Sequence, residues 1–289
     1  MFSGIGGFEY GMELSKMDFE CVGYSEIDEN AKSIYQRHYP KHINFGDATR
    51  IKTEKLPDFD FLVGGFPCQS FSIAGNRQGL DDTRGTLFFE IARILKDKTP
   101  RYFLLENVKG LLSHDGGRTY KKMLGVLSDL GYTISWKVYN SRNHGVPQNR
   151  ERIFIIGCHR EREGGLEILF KRRNKKKEND RIVKNGWVKL KEDLCCRTTK
   201  NGDFYAVTTR FRCRPFKKSQ DNYVLDDIGL RKLTPCECER LQGFPDDWTK
   251  YGKDDELISD TQRYKCCGNA VTTNVITAIV DEMFDGVEL

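Results

Sequence analysis

The chain has 289 residues, with 47 Lys+Arg against 42 Asp+Glu for a formal net charge of +5, and is 38% hydrophobic and 31% charged. That composition suits one large globular domain, or a main domain carrying a smaller one, and excludes a disordered chain. No run approaches the roughly 20 apolar residues that cross a bilayer, and ten cysteines without a secretory leader at MFSGIGGFEYGMEL point to a reducing compartment rather than a disulfide scaffold.

In chain order, Phe2-Ser3-Gly4-Ile5-Gly6-Gly7-Phe8 reads as a glycine-rich turn opening a helix, where backbone can approach a ligand closely. Phe19–Ser25 reads as a strand, and Glu26 stands at its end, placed to accept bonds from two ribose hydroxyls. Asp28 is a cap for a helix through Ala31, Ile34, Tyr35 and His38. Gly6 and Gly7 are adjacent and Gly11 comes late, so the turn departs from G-x-G-x-x-G. This weakens a dinucleotide reading and leaves room for a mononucleoside such as S-adenosylmethionine. Asp47, in Gly46-Asp47-Ala48, is either a turn residue or an acceptor for an adenine amino group.

Asp58–Gly64 reads as a second strand, ending in a glycine pair and followed by Phe66-Pro67-Cys68-Gln69-Ser70-Phe71-Ser72. Pro67 stiffens that turn, and a loop at the C-terminal end of a strand is where α/β sheets place ligands. A lone cysteine is usually a buried structural one, but a polar, Gly/Pro-rich loop suits an accessible nucleophile better. Arg101–Leu105 reads as a third strand that releases Glu106-Asn107-Val108 at the same sheet edge, where the carboxyl is an exposed loop acid or a member of the site. Arg150 and Arg152, in Gln148-Asn149-Arg150-Glu151-Arg152, share one face by alternation and precede a buried strand over Ile153–Gly157. Pro235–Leu241 reads as a short helix, and 271, 275, 276, 279, 280 and 283 give Val271–Phe284 a helical apolar spacing. Alternating strands and helices over the first 160 residues imply an α/β fold with a largely parallel sheet.

The charge is unevenly spread. Residues 160–232 hold 21 Lys+Arg and 11 Asp+Glu, a net of +10, whereas the remainder carries −5. The run Lys171-Arg172-Arg173-Asn174-Lys175-Lys176-Lys177 is either a solvated loop or a polyanion contact, and Arg210, Arg212, Arg214, Lys217 and Lys218 are interspersed with Phe211 and Phe216 as a nucleic-acid face would be. A basic module is therefore expected inside a mildly acidic body.

The ordered blocks FSGIGGF (2–8), GDA (46–48), GGFPCQSFS (64–72), ENV (106–108), QNRER (148–152), RKLTPCECERLQGFPDDW (231–248) and GNAV (268–271) resemble the cytosine-C5 DNA methyltransferase family across almost the whole chain. The resemblance implies a Rossmann-like methyltransferase body, residues 1–159 plus 233–289, with a small, mainly irregular or β target-recognition domain, residues 160–232, inserted into it. It implies Cys68 as nucleophile, Glu106 against the cytosine ring nitrogens, and Arg150 and Arg152 as partners of the base and the scaffold. Phe2, Gly4, Gly6, Glu26, Asp47, Pro67, Asn269 and Val271 then map to a pocket for S-adenosylmethionine, and Gln69, Ser70, Ser72, Arg210 and Arg212 to double-stranded DNA. The reaction implied is methyl transfer to C5 of a flipped cytosine in a specific duplex sequence. A monomer in the cytoplasm of a bacterial, phage or mobile-element host is expected, with a cognate restriction endonuclease as an optional partner and no membrane.

Two departures stand out. The family's turn follows a strand, whereas Met1-Phe2 stands directly before it here; a truncated or misassigned start is expected to cost stability and to loosen the cofactor pocket. Cys266-Cys267 before GNAV has no chemical role in this reading. Among rivals, a tRNA cytosine methyltransferase shares the cysteine chemistry, and the separate insert of about 70 residues favours DNA. A non-catalytic DNA-binding protein leaves Cys68, Glu106 and both arginines idle, and glycine spacing disfavours a nicotinamide oxidoreductase. Cys195, Cys196, Cys236 and Cys238 lack zinc-site spacing.

Overall fold

The computed structural model describes residues 1–15, 17–67, 87–162, 182–183, 187–191, 194–197, 204–205, 223–226 and 229–284. In chain order the body begins with α1 (Gly7–Glu13), α2 (Glu29–His38), β1 (Phe61–Gly65), α3 (Leu87–Lys98), β2 (Tyr102–Val108), α4 (Arg118–Asp129), β3 (Tyr132–Asn140), β4 (Gln148–Asn149) and β5 (Glu151–His159). Short strands follow: β6 (Ile182–Val183), β7 (Trp187–Lys191), β8 (Leu194–Arg197), β9 (Phe204–Tyr205), β10 (Tyr223–Asp226) and β11 (Gly229–Lys232). The chain closes with α5 (Pro235–Leu241), α6 (Asp260–Asn269) and α7 (Thr273–Phe284).

The central sheet has the order β1-β2-β5-β3. Its central strands β2 and β5 are apolar almost throughout because both faces are covered, whereas the outer strand β3 is partly exposed. Alternation sends Phe103, Leu105, Ile153 and Ile155 to one face, where they pack on Phe88, Ile91 and Leu95 of α3 and Met123 and Leu127 of α4. Leu104, Phe154 and Ile156 point the other way, onto Phe8 and Met12 of α1 and Val275, Ile276 and Ile279 of α7. Each such fully buried side chain contributes roughly 1.5–3 kcal/mol. Helices α1 and α7 approach closely because Gly11 has no side chain: a Cβ there would lie 2.6 Å from Cβ of Ile276. A third cluster packs α2, through Ile34 and Tyr35, against Phe244, Trp248 and Cys266 of the C-terminal segment, so the chain returns to the body after β11.

Local signals explain the helix ends. Asp28 accepts from the backbone N–H groups of Asn30 and Ala31, as its cap position requires. Thr234 and Glu237 form a reciprocal capping box, with Pro235 at the first turn of α5.

Three expectations are corrected. The sheet is mixed: only β1 and β2 run parallel, because β5 follows β3 through a short connection and inserts antiparallel between β3 and β2. Phe19–Ser25 is not a strand; it makes one isolated bridge, Tyr24 to Asn44, because no neighbour pairs along its length. Glu106 and Asn107 lie inside β2, which continues to Val108, rather than beyond it. Within 160–232 the described backbone is β, with β11-β10-β8-β7-β6 forming an antiparallel sheet and β9 pairing with β4.

Candidate active site

At the C-terminal ends of β1 and β2, register sets Gly65 beside Glu106. Gly65 leaves room for that acid, since a Cβ there would lie 3.2 Å from Oε2 of Glu106. Arg152, on β5, donates from Nε to Oε1 of Glu106 at 3.0 Å, with both side chains largely buried. Burial pushes the Glu106 carboxyl above the usual carboxylate range, while Arg152 and Arg150 pull it back. Arg150 is buried between β4 and β5 and donates from Nη2 to the carbonyls of Gly268 and Ala270, at 3.2 and 2.8 Å. Burial and the neighbouring Arg152 lower its pKa, yet a guanidinium stays charged at neutral pH.

Glu106 and both arginines open into a cavity of about 460 Å³ that also reaches the glycine turn. Phe2, Gly4, Glu26, Asp47, Pro67 and Asn269 line it too, so most of the residues singled out in the sequence meet in one place. Glu26 ties the turn together: Oε2 accepts from the N–H of Gly4, and Oε1 from those of Ile27 and Asp28, each at 2.8 Å. Three N–H groups are therefore held by this carboxylate, which faces the cavity. Asp47 caps a single 3₁₀ turn, accepting from the N–H and hydroxyl of Thr49, so it acts as a turn residue while its edge faces the cavity.

Two residues fall elsewhere. Gly6, with φ +86°, caps α1 against the ring of Tyr39, and Val271 packs on Gly7 within the core. Cys68, Gln69, Ser70, Ser72, Arg210 and Arg212 lie outside the described residues, as does the basic run 171–177.

Comparison with known proteins settles the family. The sequence description of C-5 cytosine-specific DNA methylases matches residues 1–212 and 171–285. The chain is 36% identical, over its full length and 78% of the relative, to Type II methyltransferase M1.ScrFI of Lactococcus lactis subsp. cremoris. It is 37% identical to M.NlaX of Neisseria lactamica, across 98% of this chain and 94% of that one. The chain belongs to the C-5 cytosine-specific DNA methylase family. Solved structures agree on the fold: S. pombe Dnmt2 superposes with a TM-score of 0.71 at 18% identity over 100% and 98% of the two chains. Dnmt2 of Spodoptera frugiperda gives 0.69 at 20% identity, covering 98% of each.

In this methylase several supports carried no signal that sequence reasoning used. Asn107 donates from Nδ2 to the carbonyl of Phe66 at 2.8 Å, holding the backbone two residues before Cys68. Trp248 donates from Nε1 to the carbonyl of Ile5 at 3.0 Å, bracing the glycine turn from the C-terminal segment, and its ring stacks on His38 at 3.6 Å. Gln148 reaches the carbonyl of Leu241 and stitches that segment to the body, while Gln242 reaches that of Cys267 within the segment. Ile27, 66% exposed, and Lys265 also line the cavity, which the sequence did not signal. Cys236, Glu239 and Asp247 come within 4.8 Å of one another, but Arg263 reaches all three and supplies the positive charge there.

Proposed function

We propose that the methylase transfers a methyl group from S-adenosylmethionine to C5 of a cytosine flipped out of a specific double-stranded DNA sequence, through a covalent bond between Cys68 and C6. One observation supports this above the others: the Glu106–Arg152 pair and the glycine turn with Glu26 share a single cavity. The cavity fits a nucleoside cofactor by volume, by an acceptor at Glu26, by the apolar surface of Ile27, and by Gly4, whose missing side chain leaves open space. Phe2, Gly4, Glu26, Asp47, Pro67 and Asn269 are the residues to hold it. When bound, S-adenosylmethionine supplies an electrophilic methyl on its sulfonium.

The protein's own part follows from the chemistry of the base. C5 of cytosine is a poor nucleophile until the Cys68 thiolate adds to C6, which breaks the aromaticity and moves electron density to C5. Glu106, whose pKa burial raises, is the group to give or share a proton at N3 and to accept from the exocyclic amine, offsetting charge that builds on the ring. Arg152 keeps that carboxyl aimed, and Arg150 locks the strand to the Gly268–Ala270 carbonyls. After the methyl is attached, a base removes the C5 proton, the electron pair reforms the C5–C6 double bond, and Cys68 leaves as thiolate. Extrusion of the base costs on the order of a few kcal/mol. The basic segment 160–232 is the target-recognition domain in this reading, offsetting that cost through phosphate contacts, with Arg210, Arg212, Gln69, Ser70 and Ser72 facing DNA.

The relatives include proteins called Type II methyltransferases and orphan methyltransferases of Bacillus phages. A modification role beside a restriction endonuclease, in the cytoplasm of a bacterial or phage-infected cell, is the setting we infer. Among the described residues no helix is long and apolar enough to cross a membrane. Duplex DNA carrying 5-fluorocytosine should form a denaturation-resistant adduct in the presence of S-adenosylmethionine, and Cys68→Ser should abolish it. An unchanged adduct in that variant, or adducts with RNA only, refutes the assignment. Conversion sequencing of host DNA after expression then reads the target site.

A further inference from the structure

One wall of the Glu106 cavity has little secondary structure of its own. It is formed by the segment 44–51, which carries Asp47 and a single 3₁₀ turn, Ala48–Arg50. A turn of three residues has almost no intrinsic stability, so its place against the cavity is set by what holds it. From one side the hold comes from around Glu26. Nδ2 of Asn44 donates to the carbonyl of Glu26 at 3.1 Å, and Oγ of Ser25 donates to that of Gly46 at 2.6 Å. These bonds fix the entry to the segment and stop short of Asp47.

Beyond Asp47 the hold passes to a side chain of α3, Arg93. Its Nη2 donates to the carbonyl of Ala48 at 3.1 Å and its Nη1 to that of Ile51 at 2.9 Å, so the guanidinium spans the turn from its first residue to its C-cap. Nε donates to Oε2 of Glu90, one turn earlier on the helix, at 2.9 Å, and Nη2 lies 2.8 Å from the same oxygen. All three nitrogens of a planar group are thereby committed, an arrangement that a lysine ammonium cannot reproduce. The helix is a firm base for this clasp, since Ile91, Ile94 and Leu95 are buried in one cluster with Ile51. Leu87, its first residue, lines the cavity as well. A further bond joins the same helix to the chain just past the turn: Oγ1 of Thr53 donates to Oδ2 of Asp97 at 2.7 Å. Neither of those two residues lines the cavity, and neither does Arg93.

We propose that Arg93 is a positioning residue for cofactor affinity: clasped to Glu90, it holds the Ala48–Ile51 turn so that Asp47 stands where the adenine amino group arrives. This role rests on the reading that S-adenosylmethionine occupies the cavity, and it names what sets the adenine end. Without the fork the carbonyls of Ala48 and Ile51 turn to water, the turn drifts, and the carboxylate of Asp47 no longer meets its donor. A ligand without that amino group does not feel the loss. The chemical step, at Glu106 on the far strand, does not feel it either once the cofactor is bound.

The test is calorimetry on the full chain with S-adenosylhomocysteine and with S-inosylhomocysteine, in which a carbonyl oxygen replaces the adenine amino group. The native protein should prefer the adenosyl ligand. Arg93→Lys should weaken that ligand about tenfold and the inosyl one by less than about twofold. KM for S-adenosylmethionine should rise by a similar factor, with kcat at saturation within about twofold of native. Asp97→Ala, which loses the bond to Thr53, should lower the thermal midpoint by about 2–4 °C, as Arg93→Lys does, and leave both affinities within about twofold. Glu90→Gln loosens Arg93 without changing size and should weaken the adenosyl ligand about threefold, so it carries the test if the lysine variant does not fold. Equal weakening of the two ligands by Arg93→Lys, or the same loss in Asp97→Ala, reduces Arg93 to general support of the fold and overturns the role. Equal native affinity for the two ligands overturns it too. A native protein that binds neither ligand refutes the cofactor reading and this role with it, whereas native binding left unchanged in Arg93→Lys and Glu90→Gln overturns this role alone.

Discussion

Asn107 offers the sharpest test of how the active-site edge is built. Its Nδ2 donates to the Phe66 carbonyl at 2.8 Å, and Asn107 and Phe66 are only 1% and 3% exposed. Asn107→Ala leaves that carbonyl buried without a donor, at a cost of about 1–3 kcal/mol. For a chain of this size that lowers the thermal midpoint by roughly 2–10 °C. Since Phe66 stands two residues before Cys68, the loosened backbone should lower kcat by about 10- to 100-fold, with KM for DNA changed less than about threefold. Asn107→Asp separates the hydrogen bond from side-chain size. One of its oxygens still accepts from the N–H of Val108, as Oδ1 of Asn107 does, but the other faces the Phe66 carbonyl and donates only when protonated. That environment raises the folded-state pKa of the new acid. Its stability is therefore near the native value below about pH 4 and falls as pH rises through the folded pKa. Differential scanning fluorimetry from pH 4 to 9, with single-turnover methylation at pH 7.5, measures both. An Ala variant with native midpoint and native kcat, or an Asp variant with a flat difference from the native protein, refutes the reasoning.

Glu106→Gln should lower kcat by about 10²–10⁴-fold, because the amide cannot carry the proton. It should also remove a pH-dependent component of stability in the free protein. Burial raises the Glu106 pKa, so its contribution is full below about pH 4.5 and lost as pH climbs through the folded value. The difference in midpoint between the two proteins across that range checks it. Gly11→Ala places a methyl against Ile276 and Thr273 and should destabilise by about 1–3 kcal/mol in urea unfolding, whereas Gly110→Ala, with nothing within 4 Å, should stay within about 0.5 kcal/mol. Trp248→Phe keeps the ring but loses the donor to the Ile5 carbonyl, which should weaken S-adenosylmethionine binding about 3- to 10-fold by calorimetry at little cost in fold.

Residues that act through local backbone or through chemistry of their own were legible in the sequence. Asp28 and the Thr234–Glu237 pair cap helices because those bonds span only three residues. The apolar runs of β2 and β5 announced strands covered on both faces, and Glu106 with Arg150 and Arg152 reached one cavity as their places at strand ends implied. The largely parallel sheet was misjudged because strand direction depends on which neighbour β5 finds, and hydrophobic period carries no direction. Phe19–Ser25 has strand composition but lacks the partner that would make it one.

By itself the sequence determined the family, the α/β class, and the polarity of the chain into a mildly acidic body and a basic segment, and it singled out Glu106, Arg150 and Arg152, which share one cavity. Only the tertiary structure decided that Glu26 accepts from three N–H groups around its own turn, and that Asn107 and Trp248 brace that edge from bonds spanning 41 and 243 residues. The physical reason is range. Caps, turns and alternation are short-range geometry that residue order encodes directly, whereas a hydrogen bond between distant segments exists only once packing has placed both sides.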